Sequence, residues 1–316
     1  MSAAGPAGAT GHVAGERHRR LRIAALWIAS LIFVGYVTAP LVWLVSSSFQ
    51  SEREITSKPP HWIPHEPTVQ NFAAIFAAPK KDVTYETRRA ADPASGGFIP
   101  STAANLLPAM ANSLIVAISV VILNLLVAIP AAYALAKIRF RGRDASIYAI
   151  LTTRVIPDIA LVVPFFLFIR NLGLLDTLAS LIITYLAVTV PFSVFILTNY
   201  FEGLPDELDK AARVDGCSRL QTLLHVYVPL SLPAIVAVIL FAFLASWNEF
   251  LLALMFTQTP NSQTLPIIVA SFTSDFTISF SFINAAGVLA IIPPVLIALL
   301  FERYLVSGLT AGAVKG

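Results

Sequence analysis

Long uncharged apolar runs dominate the hydrophobic pattern of this chain. Five runs contain no Asp, Glu, Lys or Arg, at 23–51, 103–136, 177–201, 220–248 and 276–301. A sixth run, 145–169, is interrupted only by Arg154 and Asp158. A helix that crosses a bilayer needs about 20 mostly apolar residues. The pattern therefore predicts six transmembrane helices, at roughly 23–47, 110–136, 146–169, 178–200, 231–256 and 282–302.

Composition supports this interpretation. The 316 residues are 57% hydrophobic and 12% charged, with a mean hydropathy of +0.77, whereas soluble domains carry about 25% charged residues. The sequence therefore predicts an all-α integral membrane protein in contact with membrane lipid. The net charge of +3 comes from basic residues at the predicted membrane edges, so it indicates orientation and no nucleic-acid partner. The single cysteine, Cys217, excludes an intrachain disulfide and a Cys-rich metal site.

The distribution of Lys and Arg in the short loops predicts the orientation of the spans. Basic residues precede the first span and follow the second, fourth and sixth spans: Arg17, Arg19, Arg20, Arg22, Lys137, Arg139, Arg141, Arg143, Lys210, Arg213, Arg219, Arg303 and Lys315. The loop 257–281, after the fifth span, contains neither Lys nor Arg. We therefore expect both termini on the cytoplasmic side (N-in, C-in).

The regions outside the spans divide the chain further. Residues 1–22 are predicted to be a disordered cytoplasmic tail, and 303–316 a second cytoplasmic tail. A cleaved signal peptide is the alternative for the N-terminus, but the apolar run there is longer than a signal core of about 7–15 residues. The extracytoplasmic loop 48–109 is rich in prolines, which favour an extended path, and 79–98 has the composition of a mobile insertion. Residues 110–302 form the predicted core.

Residues 202–229, which we call the helix–turn–helix segment, are a charged interruption between two apolar runs. Pro205 is a preferred first helical residue, and the acidic residues after it suit the positive end of the helix dipole. Gly216 predicts a left-handed cap. Ser218 and Gln221 match a capping box for a second helix. From these residues alone, a docking element and an ordinary hairpin on the membrane surface both remain open.

The same segment resembles the EAA signature of permease subunits of binding-protein-dependent ABC importers. That signature reads Glu-Ala-Ala, three residues, Gly, nine residues, Ile, one residue, Leu-Pro. Ala211, Ala212, Gly216 and Pro229 match it, whereas Lys210 stands where the family has Glu. Further stretches resemble the smaller permease of the carbohydrate-uptake class, so that the resemblance covers about 23–316: NSLIVAISVV, AAYALAKIRFRGR, RVIP, NLGLLDT, WNEFLLAL and GLTAGAVKG.

The resemblance implies a type I ABC importer permease fold with the segment as the element that couples to an ATPase. The implied coupling residues are Glu207, Lys210, Ala211, Ala212, Asp215, Gly216 and Pro229. The implied partners are a second homologous permease, two copies of a cytoplasmic ATPase, an extracytoplasmic solute-binding lipoprotein and a sugar. No phosphate-binding loop occurs in the chain, so ATP and Mg would bind the ATPase, and we expect no cofactor and no catalytic site here.

Ionisable and polar residues inside the predicted spans are candidates for the translocation path, because charge inside a membrane usually faces a cavity or a partner. Arg154 and Asp158 share a helix face, either as a local ion pair beside Pro157 or along the path. An aromatic ring beside amide and carboxylate groups, at Trp247, Asn248 and Glu249, suits the apolar face and the hydroxyls of a sugar. Alternatively, Glu249 lies at the external interface or pairs with the partner permease.

Other polar residues are candidates for partner contacts or for structural roles. In the loop 257–281, Pro260, Asn261, Ser262 and Gln263 are candidate contacts to the docked binding protein, and a plain connector is the alternative. For the remaining polar residues we predict no bound ligand. Asn112, Ser113 and Asn124 are interpreted as interhelix hydrogen-bonding residues, and His61, His65 and His225 as isolated surface residues with no metal site.

The function predicted from the sequence is that of a sugar-importing ABC permease. An ABC permease for another solute, such as glycerol phosphate or a polyamine, is the first alternative. An ion-coupled secondary transporter that acts alone is the second alternative, and a membrane-embedded enzyme is the third. The sequence does not name the sugar.

Overall fold

The computed structural model describes residues 10–76, 101–153, 155–273 and 279–313, with the side chains of 10–18, 20, 101 and 305–313 left out of the description. The regular elements in these ranges are helices. Arg154 and the whole predicted insertion 79–98 lie outside the described residues.

Fourteen α-helices are labelled here in chain order over the described residues. They are α1 Thr10–Ser48, α2 Glu52–Ile55, α3 Gln70–Phe76, α4 Leu106–Lys137, α5 Arg143–Thr153, α6 Asp158–Asn171, α7 Leu178–Glu202, α8 Glu207–Val214, α9 Arg219–Thr222, α10 Val228–Leu230, α11 Leu232–Trp247, α12 Leu251–Phe256, α13 Leu265–Ala270 and α14 Phe280–Ala313. A 3-10 turn, Ser101–Asn105, leads into α4, and a π-helical turn, Leu223–Tyr227, joins α9 to α10.

Four stretches of the described helices are long and apolar enough to cross a membrane: Leu21–Ser48, Thr102–Lys137, Leu178–Glu202 and Phe280–Tyr304. Two bent helix pairs also have the required composition. One pair, α5 and α6, bends by 99°, and the other, Arg219–Leu230 with α11, bends by 83°. The all-helical, multi-span architecture is therefore confirmed, while the count of six spans and their orientation stay predictions.

Two sequence-based boundaries are corrected by the structure. Residues 10–22, predicted as part of a disordered tail, continue α1 as helix, because extending a formed helix adds one hydrogen bond for each residue that is fixed. The predicted fifth span, 231–256, is not continuous: α11 ends at Trp247 and α12 begins at Leu251. Hydropathy alone does not register this break, since the residues on both sides are apolar.

Helix α4 is the centre of the bundle. It packs most extensively against α7, and it also contacts α11. Small side chains, including Ala117, Ala128 and Ala132, are fully buried along α4 and allow this close approach. The buried Asn124 amide donates to Ser193 Oγ on α7 at 2.7 Å, which confirms the interhelix interpretation of Asn124. By contrast, α1 packs mainly against α14 and leaves most of its apolar surface exposed.

The described part of the predicted external loop folds against the end of α1. The Asn71 amide donates to the carbonyls of Ser48 and Gln50, at 2.8 and 3.0 Å. The Glu52 carboxylate accepts from the backbone N–H groups of Phe280 and Ser281, at 3.1 and 2.9 Å, at the start of α14. These contacts join the loop to both peripheral helices.

Candidate functional site

A cavity of about 360 Å³ opens where α11 gives way to α12. Its walls come from α6, α7 and the break itself, and they combine polar and apolar side chains: Asp158, Tyr185, Val188, Thr189, Ala245, Asn248, Glu249, Phe250, Leu251 and Leu252. Three of the five predicted path residues, Asp158, Asn248 and Glu249, therefore lie together. Sequence reasoning missed Tyr185, which gives no signal in an apolar helix.

The side chain of Glu249 stabilises the break in the span. Its carboxylate accepts from the N–H groups of Leu252 and Ala253, at 2.7 and 3.0 Å, in the first turn of α12. The Tyr185 hydroxyl donates to the same carboxylate at 2.6 Å. A negative charge at a helix N-terminus is stabilised by the helix dipole, and these N–H groups have no partner within the helix. Glu249 thus stabilises a half-helix whose N-terminus faces the cavity.

Trp247 lies apart from these three residues. Trp247 is buried, stacks on Phe243 with ring centroids 5.6 Å apart, and donates through its indole N–H to the Ala290 carbonyl at 3.2 Å. Its side chain therefore packs against α14 and is not among the residues that line the cavity. Arg154 lies outside the described residues, so its predicted pairing with Asp158 stays a prediction.

The loop 257–264 is fastened to the turn between α6 and α7 by Asp176. This carboxylate accepts from the N–H groups of Gln258 and Thr259, at 2.8 and 2.9 Å, from the Thr259 hydroxyl at 2.8 Å, and from the Ser262 hydroxyl. The Ser262 hydrogen bond, followed by the backbone N–H donors, holds the pKa of Asp176 well below its usual range. The loop is therefore built around an ionised carboxylate.

Asn112 and Ser113 hold the other side of this loop. The Asn112 amide lies 3.3, 3.2 and 2.9 Å from the carbonyls of Pro260, Asn261 and Gln263. Ser113 Oγ accepts from the N–H of Leu265, the first residue of α13, at 2.8 Å. The interhelix interpretation is thus confirmed for Ser113, which joins α4 to α13. It is wrong for Asn112, which binds the carbonyls of a loop about 150 residues later.

The four predicted binding-protein contacts are consequently unequal. Pro260 and Asn261 are exposed, Gln263 is half-buried, and Ser262 is buried. Only the tip of the loop, 258–261, presents side chains outward, and Asp176 and Asn112 fix its backbone from beneath. Sequence reasoning missed Asp176. In the structure this residue has a φ of 60°, which is uncommon for a non-glycine residue and is adopted most readily by Asn and Asp.

At the other candidate site, the helix–turn–helix segment has the predicted local geometry. Gly216 adopts φ +84°. The N–H groups of Cys217 and Gly216 donate to the carbonyls of Ala212 and Arg213, which is the double hydrogen bond of a Schellman motif. Ser218 and Gln221 form the reciprocal capping box. The turn is therefore specified by its own sequence.

The second helix of the segment differs from the prediction. A π-helical turn at Leu223–Tyr227 precedes Pro229, and the Val228 N–H donates to the Leu223 carbonyl. Proline has no N–H and its ring clashes with the preceding turn, so a wider turn accommodates Pro229. Leu223 and Tyr227 are buried in the core with Phe201 and Tyr133.

Charged residues connect α8 to the end of α4. The Tyr133 hydroxyl donates to Asp209 at 2.7 Å, and Asp209 pairs with Arg213 at 2.9 Å. The Lys137 ammonium, with a side chain only 4% exposed, donates to the Leu204 carbonyl at 2.8 Å and to Asp206 at 2.7 Å. This ammonium lowers the pKa of the Asp206 carboxyl. Sequence reasoning assigned Lys137 only to orientation.

The outward face of the segment carries most of the predicted coupling residues. Glu207, Lys210, Ala211, Asp215 and Gly216 are exposed, whereas Ala212 is buried. Among the ion pairs of the described residues, none joins Lys210 to Glu207. Two apolar side chains, Val214 and Leu220, are 87% and 63% exposed beside these residues.

Taken together, the helical bundle, the broken span and the helix–turn–helix segment, which packs against the end of α4, define a multi-pass membrane protein. Its fold is that of an ABC importer permease. The fold matches a chain in the crystal structure of a bacterial ABC transporter involved in the import of the acidic polysaccharide alginate. The TM-score is 0.74 at 23% sequence identity, and the match covers 92% of this chain and 98% of that chain.

The family follows from the sequence comparison. Residues 124–311 match the model of the binding-protein-dependent transport system inner membrane component, and the chain belongs to this family. It is 33% identical to the trehalose/maltose transport system permease protein MalG of Thermococcus litoralis, over 95% of this chain and 99% of the relative. It is 32% identical to the sulfoquinovosyl glycerol transport system permease protein SmoH of Agrobacterium fabrum, over 92% and 93%.

A third relative extends the range of named substrates. The diacetylchitobiose uptake system permease protein DasC of Streptomyces coelicolor is 31% identical, over 91% of this chain and 95% of the relative. The resemblance stated from the EAA-like segment is thereby confirmed at the level of the family. The roles of the individual site residues stay predictions.

Proposed function

We propose that this chain is a permease subunit of an ATP-driven ABC importer for a sugar, located in the cytoplasmic membrane. The observation that carries the proposal is family membership together with the names of full-length relatives, which refer to trehalose/maltose, diacetylchitobiose and sulfoquinovosyl glycerol. All these compounds contain a sugar unit. The chain would form half of a translocation path, with a second, homologous permease as the other half.

The cavity at the break in the fifth span supports passage of a neutral polar solute. Its volume, about 360 Å³, falls in the range of small-molecule sites. The amide of Asn248 and the hydroxyl of Thr189 suit sugar hydroxyls, and Phe250 supplies an apolar surface. Broken helices that line a cavity are a recurrent feature of transport proteins.

The charge of the cavity argues against an anionic substrate such as glycerol phosphate. Its described lining includes the carboxyl groups of Asp158 and Glu249, and neither Lys nor Arg. A phosphate ester would be repelled by these groups unless basic side chains faced it. An uncharged sugar such as trehalose or maltose, named for one relative, avoids this repulsion, whereas the sulfonate of sulfoquinovosyl glycerol, named for another, would meet it.

Two exposed regions of the chain suit two further partners. The exposed, rigidly held loop tip 258–261 is proposed to contact an extracytoplasmic solute-binding lipoprotein. The exposed face around Ala211, Val214 and Leu220 is proposed to seat in a cytoplasmic ATPase, present in two copies, which would bind ATP and Mg. The apolar side chains of Val214 and Leu220 would be covered by the ATPase in this arrangement. The Tyr133–Asp209 and Lys137–Asp206 contacts would carry movement of α8 to α4.

A reconstitution experiment tests the proposal against the alternatives. Proteoliposomes containing this chain, the partner permease and the ATPase should take up labelled sugar only with the binding protein and hydrolysable ATP. Vesicles that contain this chain alone should not accumulate sugar on a proton or sodium gradient. Accumulation by the chain alone would establish a secondary transporter and end the ABC assignment.

A matched pair of variants tests the cavity. Asn248→Leu should lower the sugar uptake rate about tenfold or more, because losing a polar contact leaves sugar hydroxyls unpaired. Asn199→Leu is the control: Asn199 donates to the carbonyl four residues earlier, as Asn248 does, but it lies outside this cavity. Equal uptake by the two variants would contradict the assigned path.

A further inference from the structure

Three potential metal ligands meet in the loop that follows α1. His65 Nδ1 lies 3.2 Å and His61 Nδ1 lies 4.0 Å from Glu54 Oε1. One ligand atom from each of the three residues lies within 4.8 Å of the others. The imidazole rings are 4.2 Å apart between centroids. The interpretation of His61 and His65 as isolated residues is therefore wrong, because the loop folds back on itself.

The scaffold under these side chains is ordered by contacts that do not involve the imidazole rings. Ser51 caps the turn α2, which carries Glu54. The Gln50 amide donates to the His61 carbonyl at 2.8 Å, and Ser46 Oγ donates to the Trp62 carbonyl at 2.5 Å. Trp62 packs edge-on against Trp43 of α1, with ring centroids 5.0 Å apart. The backbone that presents the ligands is thus held against α1.

His61 Nδ1 makes the cluster chemically incomplete. This nitrogen is shielded from solvent and has no hydrogen-bond partner, which is unfavourable for a buried polar atom. The Glu54 side chain beside it is only 10% exposed, while His65 is 69% exposed. An imidazole nitrogen without a partner, facing a carboxylate oxygen and a second imidazole, suits a shared cation.

We propose that Glu54, His61 and His65 bind a divalent transition metal of the Zn²⁺ class. Two imidazoles and one carboxylate form a three-ligand set that leaves a fourth position open for water. Nitrogen-rich sets of this kind favour Zn²⁺, Cu²⁺ or Ni²⁺ over Mg²⁺ and Ca²⁺, which prefer oxygen ligands.

The two separations from Glu54 fit such a site after small side-chain movements, and the ligand atoms of His61 and His65 lie within 4.8 Å of each other. Tetrahedral bonds of about 2.0–2.1 Å place ligand atoms about 3.3 Å apart. The Glu54–His65 distance already has this value, and the Glu54–His61 distance exceeds it by less than an ångström. Bound metal would close the loop between Glu54 and His65 and fix α2, whose Glu52 binds the start of α14. The site would brace the junction of the two peripheral helices.

Metal binding by the full-length chain tests this proposal without any transport assay. Chelator-treated protein in detergent, carrying an affinity tag free of histidine, is titrated with Zn²⁺ alone and with Co²⁺ alone. We expect one Zn²⁺ per chain with a Kd of about 10 µM or tighter, and a visible Co²⁺ spectrum typical of tetrahedral coordination.

Variants assign the ligands. His65→Gln and Glu54→Gln should each weaken Zn²⁺ binding about tenfold or more, and Glu54→Gln keeps an oxygen that can accept the His65 N–H. His225→Gln removes an exposed histidine elsewhere and should bind as the unchanged protein does. Unchanged binding by both ligand variants, at matched elution volume and helical content, would overturn the proposal. Absence of Zn²⁺ binding at 100-fold above the expected Kd would overturn it equally.

Discussion

At the scale of single residues, Asp176 shows how one carboxylate can organise a loop. It receives four hydrogen bonds from Gln258, Thr259 and Ser262, and its backbone N–H donates to the Phe256 carbonyl at 2.8 Å. Its positive φ is compatible with Asp and Asn. Substitution by Asn therefore isolates the loss of charge from a change of backbone.

The lowered pKa of Asp176 predicts a pH-dependent stability. A carboxyl whose pKa is lower in the folded state stabilises fully above its unfolded pKa, about 3.9. That stabilisation is lost as the pH falls from there toward the folded pKa. We expect the thermal midpoint of the unchanged protein to exceed that of Asp176→Asn at pH 7, and the difference to shrink below about pH 4. A pH-independent difference would contradict this cause.

Glu249 is the residue on which the broken span depends. Glu249→Ala removes an acceptor for two N–H groups of α12 and for the Tyr185 hydroxyl, and should destabilise by about 1–3 kcal/mol. Tyr185→Phe removes only one of these bonds and should cost about 0.6–1.7 kcal/mol. Thermal unfolding in detergent measures both. Glu302→Ala, at an exposed position on α14, is the control and should change little.

The residue contacts that could be predicted from the sequence are those between positions close together in the chain. Gly216 and the Ser218–Gln221 box were predictable because cap residues interact three to five positions apart. The pairing of Asp176 with Ser262, or of Asn112 with Gln263, joins residues 86 and 151 positions apart. No local pattern encodes such contacts, so an Asp in a turn and an Asn in a span looked unremarkable.

At the scale of elements, the same distinction separates α4 from the fifth span. Hydropathy predicted α4 to within a few residues, since a long uninterrupted apolar run has one favourable structure in a membrane. The break between Trp247 and Leu251 depends on a carboxylate that caps one half-helix. In the sequence, that carboxylate reads only as one polar residue among apolar neighbours.

The helix–turn–helix segment is the element whose mechanical role is most directly testable. No atom lies within 4 Å of a Cβ built on Gly216, so a side chain there meets open space and the strain comes from φ alone. A non-glycine residue in this conformation costs about 1–2 kcal/mol. Gly216→Val should therefore distort the turn between α8 and α9 while leaving the spans inserted.

We expect Gly216→Val to abolish sugar uptake and to weaken association with the ATPase. Gly216→Asn is the matched control, because Asn tolerates positive φ better than a β-branched residue does, and it should retain most activity. Co-purification of the ATPase and uptake in proteoliposomes measure the two effects. Full uptake and full association in the Val variant would show that residues 202–229 are not the coupling element.

At the scale of the whole molecule, packing is strongest at the centre and weakest at the edge. Helices α4 and α7 bury their small and polar residues against each other, whereas the exposed apolar residues of α1 have lipid or a partner chain as their only suitable environment. The three candidate functional regions, namely the cavity, the loop tip 258–261 and the helix–turn–helix segment, all attach to α4 or α7. Movement of this central pair would therefore reach all three.

The predicted orientation places the loop tip and the helix–turn–helix segment on opposite sides of the membrane, and the single cysteine allows a direct test. Cys217, half-exposed beside Gly216, should react with a membrane-impermeant maleimide in inside-out vesicles and stay unlabelled in intact cells. Asn261→Cys in a Cys217→Ser background should give the reverse result, because Asn261 is exposed at the loop tip.

Adding the ATPase extends this labelling experiment from orientation to assembly. A docked ATPase should slow labelling of Cys217 about tenfold, since a thiol must be accessible to react, and should leave the Asn261→Cys site unaffected. Labelling of both sites from the same side would refute the N-in, C-in arrangement. Protection of Asn261→Cys in place of Cys217 would instead assign the ATPase to the loop 257–264 and exclude residues 202–229 as its dock.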